Sequence, residues 1–331
     1  MPKEKRIAVL GGGPSAEYDV SIKSAKAIYR ACLRLKNYKS AMIIIDRKNK
    51  WIFDGKKVSK SEAVKELQKN YDTVFIALHG TFGEDGAIQK LLEKAGIPFT
   101  GSGSLASAVA NNKKRTKQIL SKNNFSGAKI LDDVFITKID FFRNRKKYLQ
   151  KIGNCVSFPC ILKANKLGSS YGIEIVKEKS RLVVAIEKIF KIDDEILAEP
   201  FIRGREASCG VFEKGGRPIA LPPTEIIPKK ADFFDYNSKY KKGASLEITP
   251  AKFSAGLIKK IQSVALCCHK IIGCRGMSRT DVILQNGKIY FLEINTIPGM
   301  TSTSIYPQQL QAAGIKFENF VQEMIEPAVG D

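Results

Sequence analysis

FLEINTIPGMTSTS, residues 291–304, begins as an apolar strand, puts Glu293 and Asn295 on one side of it, then breaks at Pro298-Gly299 into a run of hydroxyls. The segment before it, 277–284, is also strand-like, and Asn286-Gly287 between the two marks a hairpin. A two-residue Asn-Gly turn pairs 285 with 288 and sends Asp281 and Glu293 to opposite faces. A three-residue loop over 285–287, with Gly287 left-handed, pairs 284 with 288 instead. That register gathers Arg279, Asp281, Glu293 and Asn295 on one face. Four polar groups on a sheet face are costly unless they bind something, so the three-residue turn is the expectation. Two carboxylates and an amide oxygen are hard donors suited to Mg²⁺ held together with phosphate oxygens. The alternative is a buried Arg–Asp–Glu ion network, which leaves the Pro-Gly break unexplained.

A cation bound this way needs a phosphate partner. Lys163 closes the apolar segment 158–164 just before LGSSYG, 167–172, whose backbone N–H groups and serines, Ser169 and Ser170, suit phosphate oxygens. In AEPFIRGRE, 198–206, Glu199 and Glu206 flank a strand break as acceptors for an adenine amine and ribose hydroxyls.

The rest of the chain sets bounds. With 331 residues, 44% of them apolar, two or three domains are expected. The N-terminal MPKEKRIAVLGGG lacks the apolar core of a signal peptide, and no run of ~18 apolar residues predicts a membrane span. Seven scattered cysteines suit reduced, mostly buried thiols of a cytoplasmic protein. Cys155 and Cys160 are too isolated for a zinc site, and with only His79 and His269 a histidine-rich metal centre is excluded. The net charge of +22 raises nucleic acid as a partner. However, the lysines are spread along the chain, with only short clusters such as RNRKK, 143–147. The expectation is a lysine-biased surface that attracts anionic substrates, with neither nucleic acid nor membrane as partner.

Strand and helix alternate over the first hundred residues. Segments 6–10, 40–46 and 73–78 read as buried strands, and 15–35 and 87–96 as helices, which predicts a parallel sheet. After about residue 112 come a lysine-rich helix, a strand near 128–136, a basic helix near 140–151, and several strands from 195 onward. The polar stretch 229–249 is too long for a tight connection. A helix over 251–272, with Phe253, Leu257, Ile261, Val264, Cys268 and Ile271 on one face, ends at Gly273.

GGGPSA, 11–16, after the first strand satisfies G-x-G-x-x-A and so permits a dinucleotide-binding oxidoreductase. The acidic residue ending the second strand, Asp46, lies ~30 positions on rather than the ~20 a ribose contact needs. Glu17 at the helix start repels phosphate and attracts an ammonium.

Six segments together resemble the D-alanine–D-alanine ligases of the ATP-grasp superfamily: GGPSAEYDVS (12–21), residues 77–113 from ALHGTFGEDG onward, GSSYG (168–172), FFDYNSKY (233–240), RTD (279–281) and EINTIPGMTSTS (293–304). The resemblance implies an α/β chain: a Rossmann-like region, 1–111, then an ATP-grasp fold split into 112–200 and 201–331, the latter α+β in character and carrying a closing loop at 229–249. It implies that ATP phosphorylates one D-alanine and that the amine of a second attacks the acyl phosphate. Asp281, Glu293 and Asn295 are then ligands to two Mg²⁺ ions, which Mn²⁺ can replace. Lys113, Lys163 and Lys239 meet ATP phosphates beside Ser170, and Glu199 and Glu206 meet adenosine. Glu17 holds the first substrate's ammonium and joins Ser169 and Tyr240 in a hydrogen-bonded set. His79 lies near the first substrate's carboxylate, Arg279 and the Gly299 N–H stabilise the oxyanion, and Ser304 receives the second carboxylate. The resemblance also implies a homodimer formed through the first region, and Tyr240 favours an amine over a hydroxy acid as second substrate. Three positions depart from the family's pattern: Ala164, where proline is common, Tyr171, where a small aliphatic residue is usual, and Asn111-Asn112 before Lys113, where aspartate is frequent.

Overall fold

The computed structural model describes residues 4–168, 171–228 and 245–329. Ser169, Ser170, Lys239 and Tyr240 lie outside the described residues.

The described chain forms three sheets. In the first, strand Lys5–Gly12 lies parallel to both Tyr38–Ile45 and Thr73–Ile76, and two short antiparallel strands, Trp51–Phe53 and Lys56–Val58, complete the edge. Central positions of a parallel sheet are buried on both faces, and Ile7, Ala8, Val9 and Leu10 are all 0% exposed. Helix Tyr18–Cys32 returns over this sheet and helix Ala87–Lys94 ends at Gly96 with φ +63°, the left-handed stop that the sequence predicts.

The middle sheet is antiparallel: Val134–Thr137, Glu195–Pro200, Cys160–Ala164 and Ile173–Val176, in that spatial order. The expected single basic helix near 140–151 is two helices, Lys138–Arg143 and Arg145–Cys155. Asn144 separates them because its side chain accepts the Lys147 N–H and caps the second helix.

The C-terminal sheet is also antiparallel. Its central strand Arg205–Lys214 lies between Thr224–Pro228 and Met277–Gln285, with Ser245–Ile248 at one edge and Lys288–Asn295 at the other. Strand Ser245–Ile248 occupies part of the stretch read as one long loop, 229–249. Helix Ala255–Ile272 covers the sheet; Ser254 accepts the Leu257 N–H at its start, and Gly273, φ +73°, stops it. Phe253 precedes the helix but packs against the same core as its apolar face, and the Arg205 guanidinium sits 4.3 Å over its ring. Among the described residues no helix is long and apolar enough to cross a membrane.

The hairpin corrects the predicted turn. Gln285 pairs with Lys288 around a two-residue Asn286-Gly287 turn, both residues at positive φ. Yet Asp281 stands opposite Glu293 and Arg279 opposite Asn295, because a bulge between Val282 and Asp281 leaves Leu292 as the extra residue. Before the bulge the core face of the second strand carries Ile289 and Phe291; after it, Ile294. The four polar groups therefore share a face, as expected, through a bulge and not through the turn.

The last helix, Phe317–Val329, leaves the C-terminal sheet and packs into the core of the first, where Phe320, Val321, Met324 and Ile325 join Ile7, Ile28 and Phe75. Arg34 pairs with Glu318 at 2.7 Å across that contact. Phe320 is 0% exposed and its ring lies 5.3 Å from Phe212 and 5.6 Å from Tyr306. Phe320→Ala opens a cavity where the two ends of the chain meet. It is expected to lower stability by about 3–5 kcal/mol, measured as a fall in the urea midpoint.

Candidate active site

The middle and C-terminal sheets face each other across an open cleft of about 760 Å³. Ile161, Lys163, Ile173 and Pro200 line it from the middle sheet, and Glu206, Asp281, Ile283, Leu292 and Glu293 from the C-terminal sheet. Apolar walls with a few convergent charges are the usual form of a small-molecule site.

Lys113 begins helix Lys113–Lys122 and also lines the cleft. Asn165 fixes that helix start: its carbonyl accepts the Lys113 N–H and its side-chain oxygen accepts the Lys114 N–H. The Lys113 ammonium donates to the Leu167 carbonyl at 2.6 Å and lies 3.4 Å from Glu293. Asn112, in the Asn111-Asn112 pair where aspartate is the expected residue type, caps the helix by accepting the Arg115 N–H at 2.9 Å. Either side chain performs that capping.

Asp281 is buried and fully engaged. Ser208 donates to Oδ1 at 2.6 Å, and Arg279 grips both oxygens, Nε to Oδ1 at 3.0 Å and Nη2 to Oδ2 at 2.8 Å. Burial works against the Arg279 charge, but Asp281, Glu293 and Glu84 outweigh it and hold the guanidinium more firmly protonated than usual. The Arg–Asp part of the alternative ion network is therefore present. Asn295 accepts the Ile297 N–H through Oδ1 at 2.7 Å, which fixes its amide and begins the turn toward Pro298. Two carboxylates opposite each other on a cleft wall, with an amide oxygen next along the face, fit a divalent cation. Among the described residues no three His, Cys, Asp or Glu side chains form a metal cluster. The donor set therefore suits a cation completed by phosphate oxygens and water, not a closed protein cage.

Glu199 departs from expectation. Both its oxygens are taken by buried lysines, Oε1 by Lys117 at 2.6 Å and Oε2 by Lys163 at 2.8 Å, so it does not stand as a free acceptor for adenosine. Burial alone raises its carboxyl, but the two lysines overcome this and bring it to about 2. Glu206 lines the cleft.

The second group of predicted residues gathers where the first and C-terminal regions meet. Glu17 stands at the start of helix Tyr18–Cys32, its N–H held by Ser15 Oγ at 3.0 Å. Gly80 has φ +68°, and a Cβ there would lie 2.2 Å from Ser15 Oγ and 3.0 Å from Glu17 Oε2. Only glycine lets the chain pass so close to that carboxylate. Gly168 of the LGSSYG turn approaches the same oxygen, at 4.0 Å from its would-be Cβ. His79 is 3% exposed with both ring nitrogens engaged, Nδ1 by Glu84 at 3.3 Å and Nε2 by Ser24 at 2.9 Å. It orients its neighbours and offers no free nitrogen to a substrate carboxylate. Ser24 also accepts the Met300 N–H at 3.1 Å, tying the Pro-Gly loop to the first region. Ser304 Oγ turns back to the Thr301 hydroxyl at 2.7 Å and lies 2.9 Å from a would-be Cβ of Gly299, at the start of helix Ile305–Ala312.

Two residues in this site carried no assigned role in the sequence. Glu84 links the two groups, because its charge acts on Arg279 while it hydrogen-bonds His79. Burial pushes its carboxyl up, the His79 hydrogen bond opposes this, and the Glu17 charge adds to it. Lys117 follows Lys113 by one helical turn, a spacing that was open to reading.

Family models of the D-alanine–D-alanine ligase N-terminus and C-terminus match residues 6–102 and 124–326. The chain belongs to that ligase family. A D-alanine–D-alanine ligase of Geotalea uraniireducens is 40% identical, covering 98% of this chain and 96% of its own; one from Leptospira interrogans is 38% identical over 97% of each. Among solved structures, the VanG D-Ala:D-Ser ligase of Enterococcus faecalis superposes with a TM-score of 0.85 at 33% identity, covering 98% of this chain and 99% of that one. The D-alanine–D-alanine ligase of Coxiella burnetii gives 0.81 at 31% identity, covering 99% and 94%. The fold is therefore that of the ATP-grasp ligases, and the family uses ATP and a divalent metal.

The Glu199 ion pairs have a pH signature. A depressed carboxyl contributes stability that is present above its unfolded value, 4.5, and is lost as pH falls toward about 2. Glu199→Gln leaves the buried Lys163 ammonium without its carboxylate and Lys117 with Asp133 alone, and is expected to cost about 3–5 kcal/mol at pH 7. Urea midpoints of the variant and parent should converge as pH is lowered from 5 toward 3.

Proposed function

We propose that the chain is an ATP-dependent ligase that joins two D-alanines into D-alanyl-D-alanine for peptidoglycan precursor synthesis. The observation that carries this reading is the cleft wall on which Asp281 stands opposite Glu293, with Lys113 and Lys163 on the same cleft. Carboxylates for a cation and ammoniums for phosphates, brought together between two sheets, suit phosphoryl transfer, which rests on positioning and electrostatic stabilisation.

Lys113 and Lys163 hold the phosphates of ATP and Glu206 lies at the adenosine. Asp281, Glu293 and Asn295 hold two Mg²⁺ ions, for which Mn²⁺ substitutes. When bound, the divalent cations neutralise phosphate charge as the phosphoryl group moves to the first D-alanine carboxylate. Glu17 binds that substrate's ammonium, and His79 and Glu84 hold the surrounding groups in place. The second D-alanine attacks the acyl phosphate through its amine, and phosphate leaves. Arg279, fixed by Asp281, faces the charge that develops on the carbonyl oxygen, together with the Gly299 N–H. Ser304 and the free N–H groups at the start of helix Ile305–Ala312 suit the second carboxylate. Ser169, Ser170, Lys239 and Tyr240 complete the site in this proposal, from outside the described residues. We further place the enzyme in the cytoplasm as a homodimer, divided at 1–111, 112–200 and 201–331.

The reading predicts ADP and phosphate release only when D-alanine and Mg²⁺ are both present. Chelation with EDTA should stop it and added Mg²⁺ restore it. Glu293→Ala should abolish turnover, whereas Cys267→Ser, away from the cleft, should leave it intact. A coupled ATPase assay over D-alanine, D-serine, D-lactate and L-alanine checks the specificity. D-lactate outcompeting D-alanine at neutral pH would overturn the amine preference.

A further inference from the structure

We propose that Lys117 is a positioning residue for nucleotide binding: through the shared Glu199 carboxylate it sets both the place and the effective charge of the Lys163 ammonium. The inference rests on the cleft being the ATP site and adds a residue that never touches the nucleotide.

Lys117 is 4% exposed, and its ammonium lies 2.6 Å from Glu199 Oε1 and 3.1 Å from Asp133 Oδ2. The other Glu199 oxygen lies 2.8 Å from Lys163. With one lysine on each oxygen, the carboxylate cannot swing toward either without losing the other. That fixes Lys163, for which no second ion pair is formed among the described residues. Asp133 in turn takes Lys114 at 2.7 Å, so three lysines face two carboxylates and one positive charge is left over. Of the three, Lys163 alone lines the cleft.

The surplus matters for binding an anion. If Glu199 belonged to Lys163 alone, the pair would be neutral, and phosphate would have to compete with a buried carboxylate for the ammonium. Lys117 takes half of that carboxylate's attention, so Lys163 presents net positive charge to the cleft. Lys117 also reaches this place for a simple reason. It sits one helical turn from Lys113, so the helix start that Asn165 clamps to the middle sheet sets Lys113 on the cleft and Lys117 on the Glu199 carboxylate behind it.

The test compares wild type with Lys117→Met, which keeps the stem and removes the charge, and with Lys117→Arg, which restores it. Lys117→Met should raise KM for ATP roughly tenfold, the scale seen when a group orienting a ligand-binding side chain is lost. It should leave kcat within about threefold and KM for D-alanine unchanged. Lys117→Arg should recover most of the ATP affinity. Should Lys117→Met fail to fold, Lys117→Gln, judged by its circular dichroism and melting, carries the same expectation. A folded variant with wild-type KM for ATP overturns the proposal. So does a parallel loss of kcat and both KM values that arginine does not rescue, since that marks a merely structural lysine. If wild type itself shows no D-alanine-dependent ATP turnover, the ATP-site reading falls and this inference with it.

Discussion

A sheet face that carries Arg279, Asp281, Glu293 and Asn295 cannot be closed against an apolar partner. Desolvating such groups without full compensation costs several kcal/mol per ion, so the middle sheet stands off from the C-terminal sheet and a cleft remains between them. What lines the opposite wall follows from the same constraint. Lys113 approaches Glu293 across the gap, and Lys163 projects from the middle sheet beside Glu199 of the neighbouring strand. The arrangement of charges that makes the cleft unavoidable is also what suits it to phosphate and a cation.

That constraint reaches the first region through Glu84. Its carboxyl shares the field of Arg279 and hydrogen-bonds His79, which in turn meets Ser24, the acceptor for the Met300 N–H. Glu17 and Asp281 are thus parts of one polar seam between regions distant in sequence. The last helix packs into the first sheet and holds the two sides of the seam in register. In a ligase that must bring a carboxylate, an amine and a phosphate together, fixing that seam supplies orientation that reaction in solution lacks.

Much of the site was legible because its residue types conflict with their surroundings. A strand reading FLEIN has no reason to carry Glu293 and Asn295 unless something binds them, and Glu17 at a glycine-rich helix start argues against phosphate there. The alternation of the first hundred residues produced the parallel sheet at nearly the expected bounds. Other features were not legible. The expected three-residue turn is a two-residue turn plus a bulge, since either device restores the same face and only backbone packing selects one. The partners of His79 and Glu199 were not legible either, because a sequence does not reveal which side chains the fold brings against them.

By itself the sequence determined the strand–helix alternation of the first region, the shared polar face of the hairpin and the chemistry of its donors, because side-chain periodicity and charge are local properties. Tertiary structure alone decided that Leu292 is the bulged residue, that Glu84 joins His79 to Arg279, and that Lys117 and Lys163 divide one carboxylate. It also decided that Phe317–Val329 belongs to the core of the first sheet. These outcomes depend on contacts between residues far apart in the chain, where burial determines which charge partners are within reach.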